Sequence, residues 1–434
     1  SSQQGSKRKQ RPRRRTGPVR AGQPPSPAQN AQFNARSEPG AGWPARNSAE
    51  SEKPSLRQRL ANVKQLDSFH APALELEKRV ERRFRAVLSA QIESAAERLA
   101  ACSQRLELGR GLVRARIEAL VNRTFQGEVE LVEFGSRTTS LATPLSDIDL
   151  GLNHRRARIF SHHVVADMLE CLAENFAGVA FITRVTSILS ASVPVVKVEA
   201  DPHVPFEDAA VAPHAQTVKC DIIVLVDEGL GIEHSSVRTT RYLKEAIAQY
   251  PTFQKNILLL KYCFNRLDYS SSYNGGVNAY GLALMYIAVL RFFGLEEETC
   301  LGTVLIRFLE FFGAFDFSNN GIFLSASASS VIPKALYLGQ DAGQLLVMDP
   351  TNIVQKNVTS SCAIFHFIAD FFQQVNAQLS AVQKAVVEEF ATEVPSMEKL
   401  NELEGCFEKS ISERLVTKQG EECSMLHALL HLNL

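Results

Sequence analysis

The sequence predicts an α+β protein in which a mixed sheet of short strands is set within a mostly helical chain. Three observations carry this reading. Five short apolar runs fall between residues 129 and 226, helical periodicity precedes them from about residue 56, and it resumes after Gly231 and continues nearly to the end. At 434 residues, 45% of them hydrophobic, the chain is long enough for one large or two ordinary domains with real cores.

Residues 1–55 are rich in Ser, Gln, Gly, Pro and Arg and nearly without aliphatic side chains. They cannot bury enough apolar surface to order themselves and are expected to form a disordered basic tail. The first 50 residues hold ten Lys or Arg against two acids, while the whole chain is formally neutral, so the remainder is net acidic. An acidic body with a basic arm does not grip nucleic acid over its whole surface; it needs a local basic groove or the arm itself. The run KRKQRPRRR (8–15 with Lys7) fits a nuclear import signal, an RNA-contacting arm, an organelle-targeting remnant or a solvated tail. No stretch has the roughly 18 to 20 apolar residues of a membrane helix, and the opening residues lack the apolar core of a secretory signal. The eight cysteines show no CxxC or zinc-ligand spacing and are expected to be buried reduced thiols. The expected setting is therefore intracellular and reducing, nuclear or cytoplasmic, with an organelle also open.

From 56 to 124, Leu74, Leu76, Val80, Phe84, Val87, Leu88, Ile92 and Leu99 recur at three- and four-residue steps, which predicts N-terminal helices. Strands are predicted at 129–134, 147–152, 179–185, 193–200 and 218–226, with a helix at about 159–175 and a mobile loop at 201–216. These elements give a sheet domain over 125–234. Helices predicted at 236–249, 253–267, 279–293, 301–313, 360–378, 379–391 and 397–415 give a helical domain over 235–434.

The strongest local signal is FGSRTTSLATPLSDIDL, residues 134–150. Gly135 permits a tight turn and close backbone approach, and Ser136 offers a hydroxyl and an N–H. The segment after it is expected to start a helix, whose N-terminus favours phosphate. Asp147 and Asp149 alternate with Ile148 and Leu150, so on a strand both carboxylates point one way. Two such carboxylates repel unless something neutralises them, and a divalent cation does so. A two-metal site wants a third carboxylate. VKCDIIVLV supplies Asp221, a charge in an otherwise apolar strand.

This combination resembles the DNA polymerase β-like nucleotidyltransferases. The stretch YNGGVNAYGLALMYIAVL (273–290) is similar to the Gly-Gly-x-x-x-Tyr helix of the template-independent RNA poly(A)/poly(U) polymerases. That helix and TSLATPLSDID resemble most the TRAMP-type poly(A) polymerase branch. The resemblance covers about residues 70–430 and implies a nucleotidyltransferase sheet domain joined to a helical PAP-associated domain, with the active site in the cleft between them. It implies that Gly135 and Ser136 hold the β- and γ-phosphates. Asp147 and Asp149 would bridge two Mg²⁺ (or Mn²⁺) ions, and Asp221 would bind the catalytic ion and activate an RNA 3′-hydroxyl. It also implies that Tyr280 stacks on the base of the incoming nucleoside triphosphate, that Lys261 contacts its triphosphate, and that MDPTNIVQKNV (348–358) forms a nucleotide-recognition loop.

Three departures mark this chain. Thr239-Thr240 stands where relatives carry Asn-Thr toward the ribose, Asn265 replaces a second triphosphate lysine, and Lys356 stands where uridylyl-specific members carry His. The expectation is metal-dependent addition of ribonucleotides, AMP favoured, to single-stranded RNA 3′ ends. Uridylyl or mixed-nucleotide tailing is the alternative within the class, and an inactive RNA-binding scaffold is the alternative outside it. No RNA-recognition module or zinc knuckle is visible in the sequence, so a protein partner that supplies RNA targeting is expected.

Overall fold

The computed structural model describes residues 56–156, 160–204, 217–227, 232–272, 274–325, 329–336, 344–352, 356–392 and 397–416. The basic tail, nearly all of the 201–216 loop and Cys423 lie outside them. Every side chain discussed below belongs to the compact unit Leu60–Leu434.

The described residues begin with one continuous helix, α1 (Leu56–Thr124), where the sequence suggested several. Five strands follow: β1 (Val129–Phe134), β2 (Ile148–His154), β3 (Ile182–Ile188), β4 (Val195–Ala200) and β5 (Val218–Val224), with α2 (His162–Phe176) between β2 and β3. They form a mixed sheet in the order β1-β2-β5-β4-β3, in which β2 and β5 are parallel and all other neighbours antiparallel. Alternation builds the sheet core. Ile148, Leu150 and Leu152 of β2, Val196, Val198 and Ala200 of β4, and Val218, Cys220, Ile222 and Val224 of β5 are buried in one cluster. α2 covers this face with Val165, Leu169, Leu172 and Phe176, a three- and four-residue spacing, and its start is capped by Ser161, whose side chain accepts from the Val164 N–H.

The remaining helices are α3 (Ser235–Gln249), α4 (Phe253–Arg266), α5 (Ala279–Phe292), α6 (Leu301–Gly313), α7 (Phe365–Ala391) and α8 (Met397–Val416). The two helices predicted over 360–391 are one. A hairpin of β6 (Asn320–Leu324) and β7 (Ser329–Pro333) was not expected; its strands are five residues each, too short to show a period in a Ser-rich stretch. α4 and α5 form the centre of a second core, with α5 buried continuously from Gly281 to Leu290. A polar seam crosses this core: the buried Asn256 donates to Tyr286 Oη at 2.6 Å, and Tyr286 donates to Thr252 Oγ1 at 3.0 Å, while Asn256 Oδ1 accepts no hydrogen bond.

α1 belongs to both cores. Leu76, Val80, Phe84, Leu88, Ile92 and Leu99 pack into the helical core, whereas Val113, Ile117 and Val121 pack into the sheet core. Among the described residues no helix is long and apolar enough to cross a membrane, and the seven described cysteines are free. Cys220, Cys263 and Cys362 are buried as expected, but Cys171 and Cys406 are exposed on helix surfaces.

Candidate active site

In the parallel register of β2 and β5, Asp149 stands directly opposite Asp221. On the other side of β5, Lys197 of β4 stands opposite Asp221. The residues flanking each of these three are buried in the sheet core, so alternation turns Asp149, Asp221 and Lys197 onto the other face. Lys197 Nζ donates to Asp221 Oδ2 at 2.5 Å.

Asp147 lies one residue before β2, so the strand alternation that fixes Asp149 does not govern it. The three acids nonetheless feel one another. Burial pushes the Asp149 carboxyl up to about 6; the charges of Asp221 and Asp147 add to the shift, and Lys261 opposes it. Burial also raises Asp147, reinforced by Asp221 and countered by Lys197, Lys219 and Lys261. Lys261 responds in the opposite sense. Its complete burial lowers it to about 8 against the pull of Asp149 and Asp147, and its Nζ donates to the Leu141 carbonyl at 3.0 Å.

The Gly-Ser turn is built against Asp149. Gly135 has φ +77°, and a Cβ there would lie 2.1 Å from Asp149 Oδ2. Any other residue would be strained and would displace the carboxylate. The Gly135 N–H donates to Thr240 Oγ1 at 3.0 Å, and that hydroxyl donates to the Ser236 carbonyl at 2.7 Å. Thr240 is therefore already committed to tying α3 to the turn, and Thr239 Oγ1 donates to the same Ser236 carbonyl at 3.2 Å. The Ser136 backbone N–H bonds to the Asp149 carboxylate. Residues 135–140 form turns, not the helix start that was expected. The Leu141 N–H closes onto the Ser136 carbonyl at 2.9 Å, and Ser140 sits at φ +57°.

A cavity of about 200 Å³ brings together Gly135, Ser136, Asp149, Thr239, Thr240, Lys261 and Tyr280. Asp147 lines a different cavity of about 170 Å³, with Arg110, Ser146 and Lys219 among its walls. Lys356 is exposed and lines neither; only its backbone carbonyl takes part, accepting from the Asp349 N–H at 2.9 Å. Tyr280 is held from the recognition loop. Its hydroxyl donates to Asp349 Oδ1 at 2.9 Å, and the same oxygen accepts from Thr351 Oγ1 at 2.8 Å. Burial first, then the Asp349 charge, raises the Tyr280 hydroxyl, so it stays protonated and keeps donating. The start of α5 is pinned beside that loop: Asn278 caps it through Gly281 N at 2.7 Å and donates to the Val358 carbonyl at 2.8 Å.

Sequence reasoning missed Lys197 and Arg110, and it placed Asp349 in the recognition loop without its bond to Tyr280. Lys197 interrupts the apolar run VPVVKV, a visible signal, but its partner is set by strand register, which the sequence does not print.

The three acids do not form a preassembled cation cage. Among the described residues no three His, Cys, Asp or Glu side chains gather closely enough to hold a metal ion alone. The reason lies in the neighbours: Lys197 occupies Asp221, and Asp149 is held by the turn. The donor set still fits a hard divalent cation. Mg²⁺ prefers oxygen ligands and is usually held by one or two carboxylates together with substrate phosphates, not by an all-protein cage.

Residues 88–237 match the family described as "Poly(A) RNA polymerase, mitochondrial-like, central palm domain". The chain is 30% identical over 196 residues to the inactive non-canonical poly(A) RNA polymerase protein Trf4-2 of Drosophila melanogaster, covering 44% of this chain and 42% of that protein. It is 26% identical over 275 residues to the poly(A) RNA polymerase gld-4 of Caenorhabditis elegans, covering 59% of this chain and 29% of that protein. The chain thus spans less than half the length of these curated relatives. A solved structure of a cytoplasmic RNA terminal U-transferase superposes with a TM-score of 0.50 at 16% identity, covering 66% of this chain and 94% of that one, and it shares the fold. The matched stretch, which carries Asp147, Asp149 and Asp221, is thus similar to the central palm domain of poly(A) RNA polymerases.

Proposed function

We propose that this protein adds ribonucleotides, AMP preferentially, to single-stranded RNA 3′ ends without a template. The observation that carries the proposal is the pairing of Asp149 with Asp221 on adjacent parallel strands, beside a glycine turn that leaves room only for that carboxylate. We read the chain as a sheet domain over 125–234 and a helical domain over 235–434, a reading that the two apolar cores support, with α1 contributing to both.

Asp147, Asp149 and Asp221 would hold two Mg²⁺ or Mn²⁺ ions. When bound, these would neutralise the phosphates and favour an in-line displacement. The protein's own part is positioning and charge. Asp221, partly exposed and paired with Lys197, is the group we assign to accepting the RNA 3′-hydroxyl proton once Lys197 has yielded it. Lys261 places a positive charge in the same cavity as the Gly135-Ser136 turn, where a triphosphate would lie. Tyr280 offers its ring to the base while its hydroxyl is anchored on Asp349. Thr239 and Thr240 bound the ribose side of that cavity. Lys356 is kept only as a contact to a bound nucleotide's outer edge.

RNA would enter along the cleft with contacts to its backbone, and a targeting partner would supply selectivity. Uridylyl or mixed-nucleotide transfer is the second reading within the class, and Lys356, standing where uridylyl-specific members carry His, weighs against strict UTP selection. The scaffold reading is favoured by one observation: the 30% identical Drosophila relative is named inactive. The retained carboxylates weigh against it here. Incubating the purified chain with a short 5′-labelled RNA, Mg²⁺ and each nucleoside triphosphate separately decides among these. Extension with ATP supports the proposal, extension with UTP alone supports the alternative, and no extension with any of the four under Mg²⁺ or Mn²⁺ leaves the scaffold.

A further inference from the structure

Arg110 sits on α1 between Leu99, the last residue that α1 gives to the helical core, and Val113, the first that it gives to the sheet core. It is flanked by Gly109 and Gly111 and is 4% exposed, unusual for an arginine. Its guanidinium is fully engaged at both ends. Nη2 donates to the carbonyls of Thr143, Pro144 and Ser146, each at 3.1 Å. Nη1 donates to Ser103 Oγ and to Glu107 Oε1, again at 3.1 Å. Burial works to raise the Glu107 carboxyl, but hydrogen bonds from Arg137 and Arg110 outweigh it and hold it below the usual carboxylate range. Arg137 in turn pairs with Glu133 at 2.7 Å, at the end of β1.

The three carbonyls belong to the loop that ends at Asp147. That loop is tightened from within by Ser146, whose Oγ accepts from the Thr143 N–H at 2.9 Å. Because Asp147 precedes β2, no ladder bond or strand alternation fixes it; the loop does. With both terminal nitrogens committed to protein acceptors, Arg110 is not free to serve as a phosphate ligand, although it borders the Asp147 cavity. A buried charge is retained at a cost unless its donors are satisfied, and here they are satisfied by one loop.

We propose that Arg110 is a positioning residue for Asp147, clamping the 143–146 loop to α1 so that this carboxylate meets the site shared by Asp149 and Asp221. Lysine cannot replace it, because one ammonium cannot span three carbonyls, Ser103 and Glu107 together. The inference rests on the proposed activity, but its test does not rest on activity alone.

The test uses Arg110→Lys and, as a variant that leaves the arginine and its charge in place, Ser146→Ala. Each is measured for thermal unfolding, for ATP KM and kcat in RNA extension, and for Mn²⁺ affinity by electron paramagnetic resonance with a non-hydrolysable ATP analogue. A small displacement of a catalytic group costs up to about a hundredfold in rate, so kcat is expected to fall at least about tenfold in Arg110→Lys and about threefold in Ser146→Ala. Mn²⁺ affinity should weaken in both, with ATP KM within about threefold of the parent. If both variants lose thermal stability while kcat per nucleotide-binding molecule and Mn²⁺ affinity stay at parent values, Arg110 is only a structural brace and the proposal falls. If Arg110→Lys does not fold, Ser146→Ala decides by the same two readings. If the parent chain extends no RNA, the proposed function fails, and the Mn²⁺ comparison still decides the role of Arg110.

Discussion

Asp147 and Asp149 are two residues apart, yet they line cavities that share no wall residue. The Asp149 cavity is closed by elements of both cores: the Gly135 turn and β2 on one side, α3, α4 and the start of α5 on the other. The Asp147 cavity is bounded by α1, the 143–146 loop and the start of β5. One is held by strand ladders and helix packing, the other by a single buried guanidinium. The difference teaches that an Asp-x-Asp pair is not one structural unit. Asp149 is fixed by sheet register and Asp147 by a loop clamp, so the two acids should fail in different ways.

The largest expected effect is on chemistry. Asp221→Ala should cut turnover on the order of a thousandfold or more while ATP binding stays measurable, since Asp147 and Asp149 remain to hold the nucleotide-bound cation. Undiminished RNA extension by that variant would remove Asp221 from the mechanism. The next test belongs to the Asp149 cavity. Tyr280→Ala should raise the ATP KM by roughly fivefold to a hundredfold, the equivalent of about 1 to 3 kcal/mol of lost base stacking. Tyr280→Phe should cost less, about 1 kcal/mol, because it keeps the ring and loses only the bond to Asp349. An unchanged KM in Tyr280→Ala would make the residue a core tyrosine and leave the cavity without a base platform.

Asp149→Asn should inactivate the protein yet stabilise it without metal. The Asp149 carboxyl titrates near about 6 in the fold against 3.8 for the ordinary side chain. As pH rises from about 4 to 6 the unfolded chain sheds its proton first, so folding stability falls through that window and stays lowered above it. Removing the charge should therefore raise stability in EDTA at pH 7.5 by up to about 3 kcal/mol, with the gain fading by pH 4. A variant less stable than its parent at pH 7.5 would show that Asp149 is not electrostatically strained. The smallest effect is expected at α1. A Cβ at Gly111 would meet no atom within 4 Å, so Gly111→Ala should add about 0.5 to 1 kcal/mol of stability in thermal unfolding. A loss instead would mean that α1 bends beside Arg110.

Much of this was legible in the sequence, and the reasons differ by residue. Asp149 and Asp221 were visible because each interrupts an apolar strand, and alternation fixes which way such a residue points. Gly135 was visible because a glycine at a strand end before two acids has few other uses. The grouping of Lys261 and Tyr280 with that turn came through resemblance, since helices far apart in the chain carry no mutual register. Asp147 was read as a site residue from strand alternation, and that rule stops one residue short of it. Arg110 was hidden because an arginine in a helix reads as a solvated face; its burial depends on a loop more than 30 residues away. Lys197 was hidden by the same kind of non-local fact, the pairing of β4 with β5. Continuous α1 was split in expectation because its apolar stripe is interrupted between Leu99 and Val113, where Ser103 and Arg110 stand on it and Gly109 and Gly111 flank the arginine.

The most direct test of the account is whether the carboxylates share cations only once a nucleotide is present. Mn²⁺ titrated into the parent chain with and without a non-hydrolysable ATP analogue, and into Asp147→Ala and Asp149→Ala, would show this by electron paramagnetic resonance. The account predicts weak binding to the chain alone, tightening by about tenfold or more with the analogue, and loss of that gain in both variants. Nucleotide-dependent binding that survives in both variants, or no nucleotide-dependent binding in the parent, would contradict it.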